Sequence, residues 1–154
     1  MILIYDSLTR RKRAFIQPGR RVNLYVCGIT ASDYAHLGHA FSAMVFEVLH
    51  RYLSFRGYLV KRVQNFTDVD DKIITKANQE GLSAIEVAEK YIQAYFEDMD
   101  ALNILRADLY PRATNEIPQM ISLIHDLVDR NFAYEVNGSA VSYTHLTLPT
   151  ILLV

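Results

Sequence analysis

Val22-Asn23-Leu24-Tyr25-Val26, closed by Cys27-Gly28, is the stretch whose reading decides the fold. Apolar and aromatic residues crowded before a glycine predict a short buried strand. From Leu37 the apolar residues recur at 37, 41, 44, 45, 48, 49 and 52 and stop near Gly57, which is the spacing of a long helix. Tyr58 to Phe66 then predicts a second strand ending at Thr67. Strand, loop, helix, strand is a βαβ unit, so an α/β fold with a parallel sheet is expected. Ligands of such sheets sit at the carboxyl ends of the strands, where Cys27, His36, His39 and Thr67 are expected to gather.

Outward from this unit the signals are local. Ile2 to Tyr5 predicts a strand turning at Asp6-Ser7, and Pro18-Gly19 marks another turn. Arg10, Arg11, Lys12 and Arg13, followed by Arg20 and Arg21, form a local basic cluster that we read as a solvated turn. Downstream, Ser83-Ala84-Ile85-Glu86 is a capping box opening a helix with a stripe of Ile85, Ala88, Ile92, Tyr95, Phe96, Met99 and Leu102. Thr114 is expected to cap a further helix with Pro118 in its first turn. Phe132 to Val136 predicts a strand entering an Asn137-Gly138 turn. These apolar stripes are read as core.

Composition removes several function classes. Hydrophobic residues make up 51% of the 154 residues, enough for a core, and the net charge of −1 gives no global basic field for nucleic acid. A single cysteine excludes an intramolecular disulfide, and no apolar run approaches membrane-spanning length. With no leader-like start, a cytoplasmic protein without a membrane partner is the expectation.

The chemistry concentrates in His36-Leu37-Gly38-His39. Two imidazoles flanking a glycine where a loop becomes a helix suit the phosphates of a nucleotide, since helix N-termini offer free N–H groups and a favourable dipole. Chance spacing is the alternative for the tetrapeptide alone. Cys27 is either a small buried hydrophobe or, at a strand end upstream of the histidines, a metal ligand. Asp68, Asp70 and Asp71 are either site acids or the solvated cap of the next helix. His50 and His125 are read as surface or packing residues.

Taken together, Tyr25-Val26-Cys27-Gly28-Ile29-Thr30, Asp33-Tyr34, His36-Leu37-Gly38-His39-Ala40 and Asn65-Phe66-Thr67-Asp68-Val69-Asp70-Asp71-Lys72-Ile73-Ile74 resemble the N-terminal part of the cysteinyl-tRNA synthetase family. Asp100-Ala101-Leu102-Asn103 and Pro111-Arg112-Ala113-Thr114 share that resemblance, which covers roughly residues 1 to 139. It implies a class I synthetase: a Rossmann-like catalytic domain that activates cysteine with ATP and loads it onto tRNA(Cys). It further implies His36 and His39 as catalytic, with Gly28, Gly38, His36 and His39 at ATP. Thr67 would lie near the cysteine substrate, and Cys27 would be a zinc ligand. Leu37 stands for the isoleucine of the family's His-Ile-Gly-His signature.

The same resemblance exposes departures. The lysine-rich second signature loop, the other zinc ligands and the anticodon-reading region are absent, so this piece is expected to be inactive alone. The expected organisation is the N-terminal half of the Rossmann-like domain over 1–80, a helical continuation opening the connective insertion over 81–140, and a tail over 141–154. The tail resembles the translation of a sequencing adapter and is expected to be foreign to the family. The rival readings are a ligase joining cysteine to an amino-sugar inositol in mycothiol synthesis, and a noncatalytic nucleotide-binding module.

Overall fold

The computed structural model describes residues 1–143. In chain order the elements are β1 (Leu3–Asp6), β2 (Arg11–Ala14), β3 (Arg21–Val26), α1 (Leu37–Phe55), β4 (Leu59–Gln64), α2 (Asp71–Glu80), α3 (Ala84–Ala101), α4 (Ile117–Asp129), β5 (Ala133–Val136) and β6 (Ser139–Ser142). They fall into two compact units, one of residues 19–116 and one of 1–18 with the segment from 117 onward. The 19–116 unit runs through residue 80, and α2 and α3 bury Ile73, Ala77, Val87, Ala88 and Ile92 in one shared core.

In the 19–116 unit β3 and β4 pair in parallel from Arg21↔Leu59 to Val26↔Gln64, with α1 as the connection. This is the βαβ unit the sequence predicts. Parallel pairing continues past the named strands at Thr30↔Thr67, and on the other edge of β4 at Val63↔Leu109 and Phe66↔Arg112. Phe66, 1% exposed, anchors the core with Tyr110 stacked at 5.3 Å and Phe96 edge-on at 5.3 Å. Arg106 lies 3.7 Å over the outer face of Phe96, covering it with a cation.

Helix ends follow the sequence with two corrections. Ser83 and Glu86 form the expected capping box of α3, and Asp70 caps α2 by accepting from Lys72 N at 2.9 Å. Thr114 does not cap a helix. It lies in a 3₁₀ turn, Ala113–Glu116, and its hydroxyl donates to buried Asp68 at 2.6 Å. The second correction concerns α1, whose expected core stripe is largely exposed: Leu37, Phe41, Val45, Val48 and Tyr52 all face outward. A different set turns inward, with Ala40 and Ala43 against the core and Glu47 and Leu53 buried. The inward face thus carries small and charged residues while the more apolar arc is exposed, so periodicity alone does not choose the buried face.

In the other unit β1 and β2 form an antiparallel hairpin from Leu3↔Ala14 to Asp6↔Arg11. The basic cluster is a turn only in part: Arg10 lies in the turn between β1 and β2, and Arg20 lies in a bend. Arg11, Lys12 and Arg13 are a strand, and all three are exposed on the two-stranded ribbon. In the same unit β5 and β6 pair around Asn137 and Gly138, whose φ values of 50° and 75° suit a tight hairpin turn. β6 includes Val141 and Ser142 of the expected foreign tail; residues 144–154 lie outside the described residues.

Candidate functional site

The backbone leaves β3 at Val26 and β4 at Gln64, and the two strand ends are drawn together beyond the pairing. Asn65 Oδ1 accepts from Gly28 N at 2.8 Å and from the Tyr25 hydroxyl at 3.0 Å. A Cβ at Gly28 would stand 1.5 Å from the Asn65 carbonyl oxygen, so only glycine permits this approach. A pocket of about 100 Å³ opens here, with Cys27, Gly28, His39, Ser42, Gln64 and Tyr95 in its lining. Gln64 Nε2 donates to the Tyr95 hydroxyl at 2.9 Å, fixing one wall.

His36 is the N-cap of α1. Its Nδ1 accepts from Gly38 N at 3.1 Å, while His39 Nδ1 accepts from His36 N at 3.2 Å. The two rings stack with centroids 3.9 Å apart. Because each Nδ1 is an acceptor, each neutral ring carries its proton on Nε2, leaving both Nε2–H groups as donors. Burial, and then the His36 ring, hold the His39 pKa below the ordinary imidazole value, which favours its neutral form. The first turn of α1 holds no acidic residue, so its positive dipole end is not offset by a carboxylate there. A Cβ on Gly38 would stand 2.9 Å from His36 Cε1, which shows why a glycine separates the histidines.

The structure thus brings Cys27, Gly28 and His39 to one pocket, with His36 and Gly38 completing its neighbouring helix cap. Cys27 is exposed, which removes its reading as a buried hydrophobe. Thr67 is not part of that lining. Its backbone is taken up by the strand extension, N–H to Ile29 O at 3.0 Å and carbonyl from Ala31 N at 3.0 Å. Asp70 and Asp71 belong to the start of α2, whereas Asp68 clamps Thr114. Asp33 pairs with Lys76 at 3.1 Å, and Tyr34 packs edge-on against Tyr91 at 5.1 Å. His125 is exposed, and His50 is half-buried with Nδ1 lacking a protein partner. Among the described residues no three His, Cys, Asp or Glu side chains are grouped to hold a metal, so Cys27 does not make a zinc site with them.

Gln64 and Tyr95 of the pocket lining, and Asn65 that ties the strand ends beside it, were not singled out by the sequence as site residues. Asn65 carries a readable signal, a polar residue at the predicted strand end facing the glycine of the preceding strand. Gln64 and Tyr95 carry none, because their pairing spans a helix packed over the strand.

Among known proteins, residues 15–150 match the family of tRNA synthetases class I (C) catalytic domain. The chain is 55% identical over 148 residues to the cysteine–tRNA ligase of Nitratidesulfovibrio vulgaris (Miyazaki F), covering 95% of this chain and 30% of that protein. It is 54% identical over 136 residues to the cysteine–tRNA ligase of Gloeobacter violaceus, covering 88% of this chain and 28% of that protein. Against the enzyme of that name from Cyanothece sp. it is 52% identical over 137 residues, again 88% of this chain and 28% of the relative. The chain therefore spans about 30% of the length of the curated relatives it matches. No helix among the described residues is long and apolar enough to cross a membrane. With the parallel βαβ unit, the histidine-capped helix and a family match over most of its length, the chain belongs to the class I (C) tRNA synthetase catalytic-domain family.

Proposed function

We propose that this chain supplies the cysteine-activating half of a cytoplasmic cysteine–tRNA ligase acting on cysteine, ATP and tRNA(Cys). The observation that carries the reading is the histidine cap, which closes α1 through two Nδ1 atoms and leaves two Nε2–H donors beside the Cys27 pocket. In the reaction a carboxylate oxygen of cysteine attacks the α-phosphorus of ATP. The bond from that phosphorus to the bridging oxygen of pyrophosphate breaks, giving cysteinyl-adenylate and free pyrophosphate. Negative charge grows on the phosphoryl oxygens, and His36 and His39 meet it with donors already oriented, which favours the transition state over the ground state.

In this reading Cys27 would supply one thiolate ligand to a zinc ion, whose other ligands would lie outside the described residues. Zinc prefers sulfur donors and stabilises thiolates, a chemistry that separates cysteine from serine. That Thr67 lies near the amino-acid substrate rests on the family resemblance of Asn65-Phe66-Thr67-Asp68 alone. Gly28 and Gly38 serve ATP indirectly, one by letting the strand ends approach and the other by giving the His36 ring room.

The test is cysteine-dependent exchange of labelled pyrophosphate into ATP, followed by charging of tRNA(Cys), in a protein of the relatives' full length carrying this segment. Exchange with cysteine but not serine, followed by tRNA charging, is the expected result. Exchange without charging of tRNA, with transfer to an amino-sugar inositol instead, would replace the reading, and ATP binding without exchange would reduce it to a nucleotide-binding module.

A further inference from the structure

Glu47 on α1 and Arg62 on β4 are 2% and 3% exposed. Glu47 Oε2 accepts from Arg62 Nη1 at 2.9 Å, and its Oε1 accepts from Arg51 Nε at 2.6 Å. Arg62 also donates through Nη2 to the Leu105 carbonyl and through its backbone N–H to Asp108 Oδ2, the latter at 2.6 Å. Arg51 Nη2 reaches the Asn103 carbonyl at 2.8 Å. One carboxylate thereby joins helix, strand and the connection leading from α3. Burial by itself would raise the Glu47 carboxyl, but Arg51, Arg62 and the Leu105 N–H outweigh it and hold the group below its ordinary range.

A buried ion pair is a weak source of net stability, because removing both ions from water offsets most of their attraction; fixing a register is its best-attested use. α1 has need of such a device. Its most apolar arc, Leu37, Phe41, Val45, Val48 and Tyr52, is exposed, while Ala40, Ala43 and Glu47 turn inward, so non-directional apolar contact does not by itself choose the face that meets β4. His39, Ala43 and Glu47 follow one another at intervals of four, and residues at that spacing share a helix face. His39 and Ala43 line the Cys27 pocket on that face. Any rotation of α1 about its axis that freed Glu47 would carry His39 with it.

We infer that the Glu47–Arg62 pair is a positioning device that fixes the rotational phase of α1 and so sets His39 against the Cys27 pocket. The inference rests on the adenylation reading for its consequence in catalysis, since neither residue touches substrate. Misplacing a reacting group by about 1 Å costs on the order of a hundredfold in rate.

The decisive variant is the double replacement Glu47→Leu with Arg62→Met, which removes both charges together and leaves neither ion buried alone. It is read in this chain by thermal melting and by the ring proton and nitrogen shifts of His39, and in a protein of the relatives' full length by pyrophosphate exchange. A native melting temperature, displaced His39 ring shifts, and an exchange kcat lowered about a hundredfold with KM for ATP little changed are the expected results. Native melting with native His39 shifts overturns the inference, whatever the exchange assay gives, and so separates its failure from failure of the ligase reading. Arg62→Lys, which keeps the charge but loses the guanidinium fork, guards against an unfolded double variant: it is expected to fold with displaced His39 shifts. Loss of the fold in both variants overturns the inference as well, because the pair would then serve stability alone.

Discussion

α1 and α3 open with the same device made from different residues. At α3 the Ser83 hydroxyl accepts from Glu86 N at 3.2 Å, and the Glu86 carboxylate accepts from Ser83 N at 2.8 Å and from the Ser83 hydroxyl at 2.7 Å. At α1 the acceptors are His36 Nδ1 and His39 Nδ1. As a donor, the serine hydroxyl is fully committed by its cap. An imidazole is not, because the nitrogen opposite the capping one still holds a proton. The α3 cap only closes a helix; the α1 cap closes a helix and keeps two donors for a ligand. Their surroundings differ in the same sense, since Glu86 offsets the dipole of α3 while the first turn of α1 has no acid.

The strongest way to break this contrast is His39→Ala. In a protein of the relatives' full length it is expected to lower cysteine-dependent pyrophosphate exchange by a hundred- to a thousandfold, about 3 kcal/mol of transition-state stabilisation. In this chain the same change is expected to cost about 1 kcal/mol of stability, as for loss of an ordinary cap. Exchange that survived with only the stability loss would make the two caps equivalent. Gly38→Ala sharpens the point. Alanine in an exposed helical turn is ordinarily worth up to about 1 kcal/mol over glycine. Here the new Cβ displaces the His36 ring and forfeits its bond to the residue-38 N–H, so stability is expected to change by less than about 1 kcal/mol. Exchange is nevertheless expected to fall about tenfold, the mark of a donor retained but misoriented.

The βαβ unit and the α3 cap were legible because each rests on a local pattern: Val22 to Val26 before a glycine, and Ser83 three residues before Glu86. The histidine pair was legible as chemistry but not as a cap, since histidine is not among the favoured N-cap residues and its ring must fold back over glycine. The buried face of α1 was not legible. Glu47 looks like a solvent-facing residue in a helix whose Leu37, Phe41, Val45 and Val48 compete for the core, and Arg62 looks like a charge on a strand surface. Only the parallel register, which sets Arg62 beneath α1, makes them partners. Thr114 misled for the opposite reason: a sound local cap signal was overridden by Asp68, 46 residues away.

Acid separates the two caps without any mutation. His39 has its pKa lowered by burial and then by His36, and His50 has its own lowered by burial and then by Arg62. As pH falls below about 6.5, the unfolded imidazoles take protons before the folded ones, so stability is expected to decline from there until the folded values are passed. Glu86 is held low by the Ser83 N–H and then by its hydroxyl. Its contribution is intact above the ordinary glutamate value of about 4.3 and is lost only as pH falls through its lower folded value. Thermal melts of this chain between pH 8 and pH 3 should therefore show an early step that His39→Ala and His50→Ala flatten and a late one, shared with the lowered carboxyls of Asp6, Asp33, Glu47, Glu80 and Asp100, that Glu86→Gln reduces by one group's share. Ser83→Ala is the smallest perturbation, expected to cost about 1 kcal/mol of stability and to leave the exchange rate unchanged in a protein of the relatives' full length. If it lowered exchange as far as His39→Ala does, the loss would belong to helix fraying in general, and the spare nitrogens of the histidine cap would have no special part in the reaction.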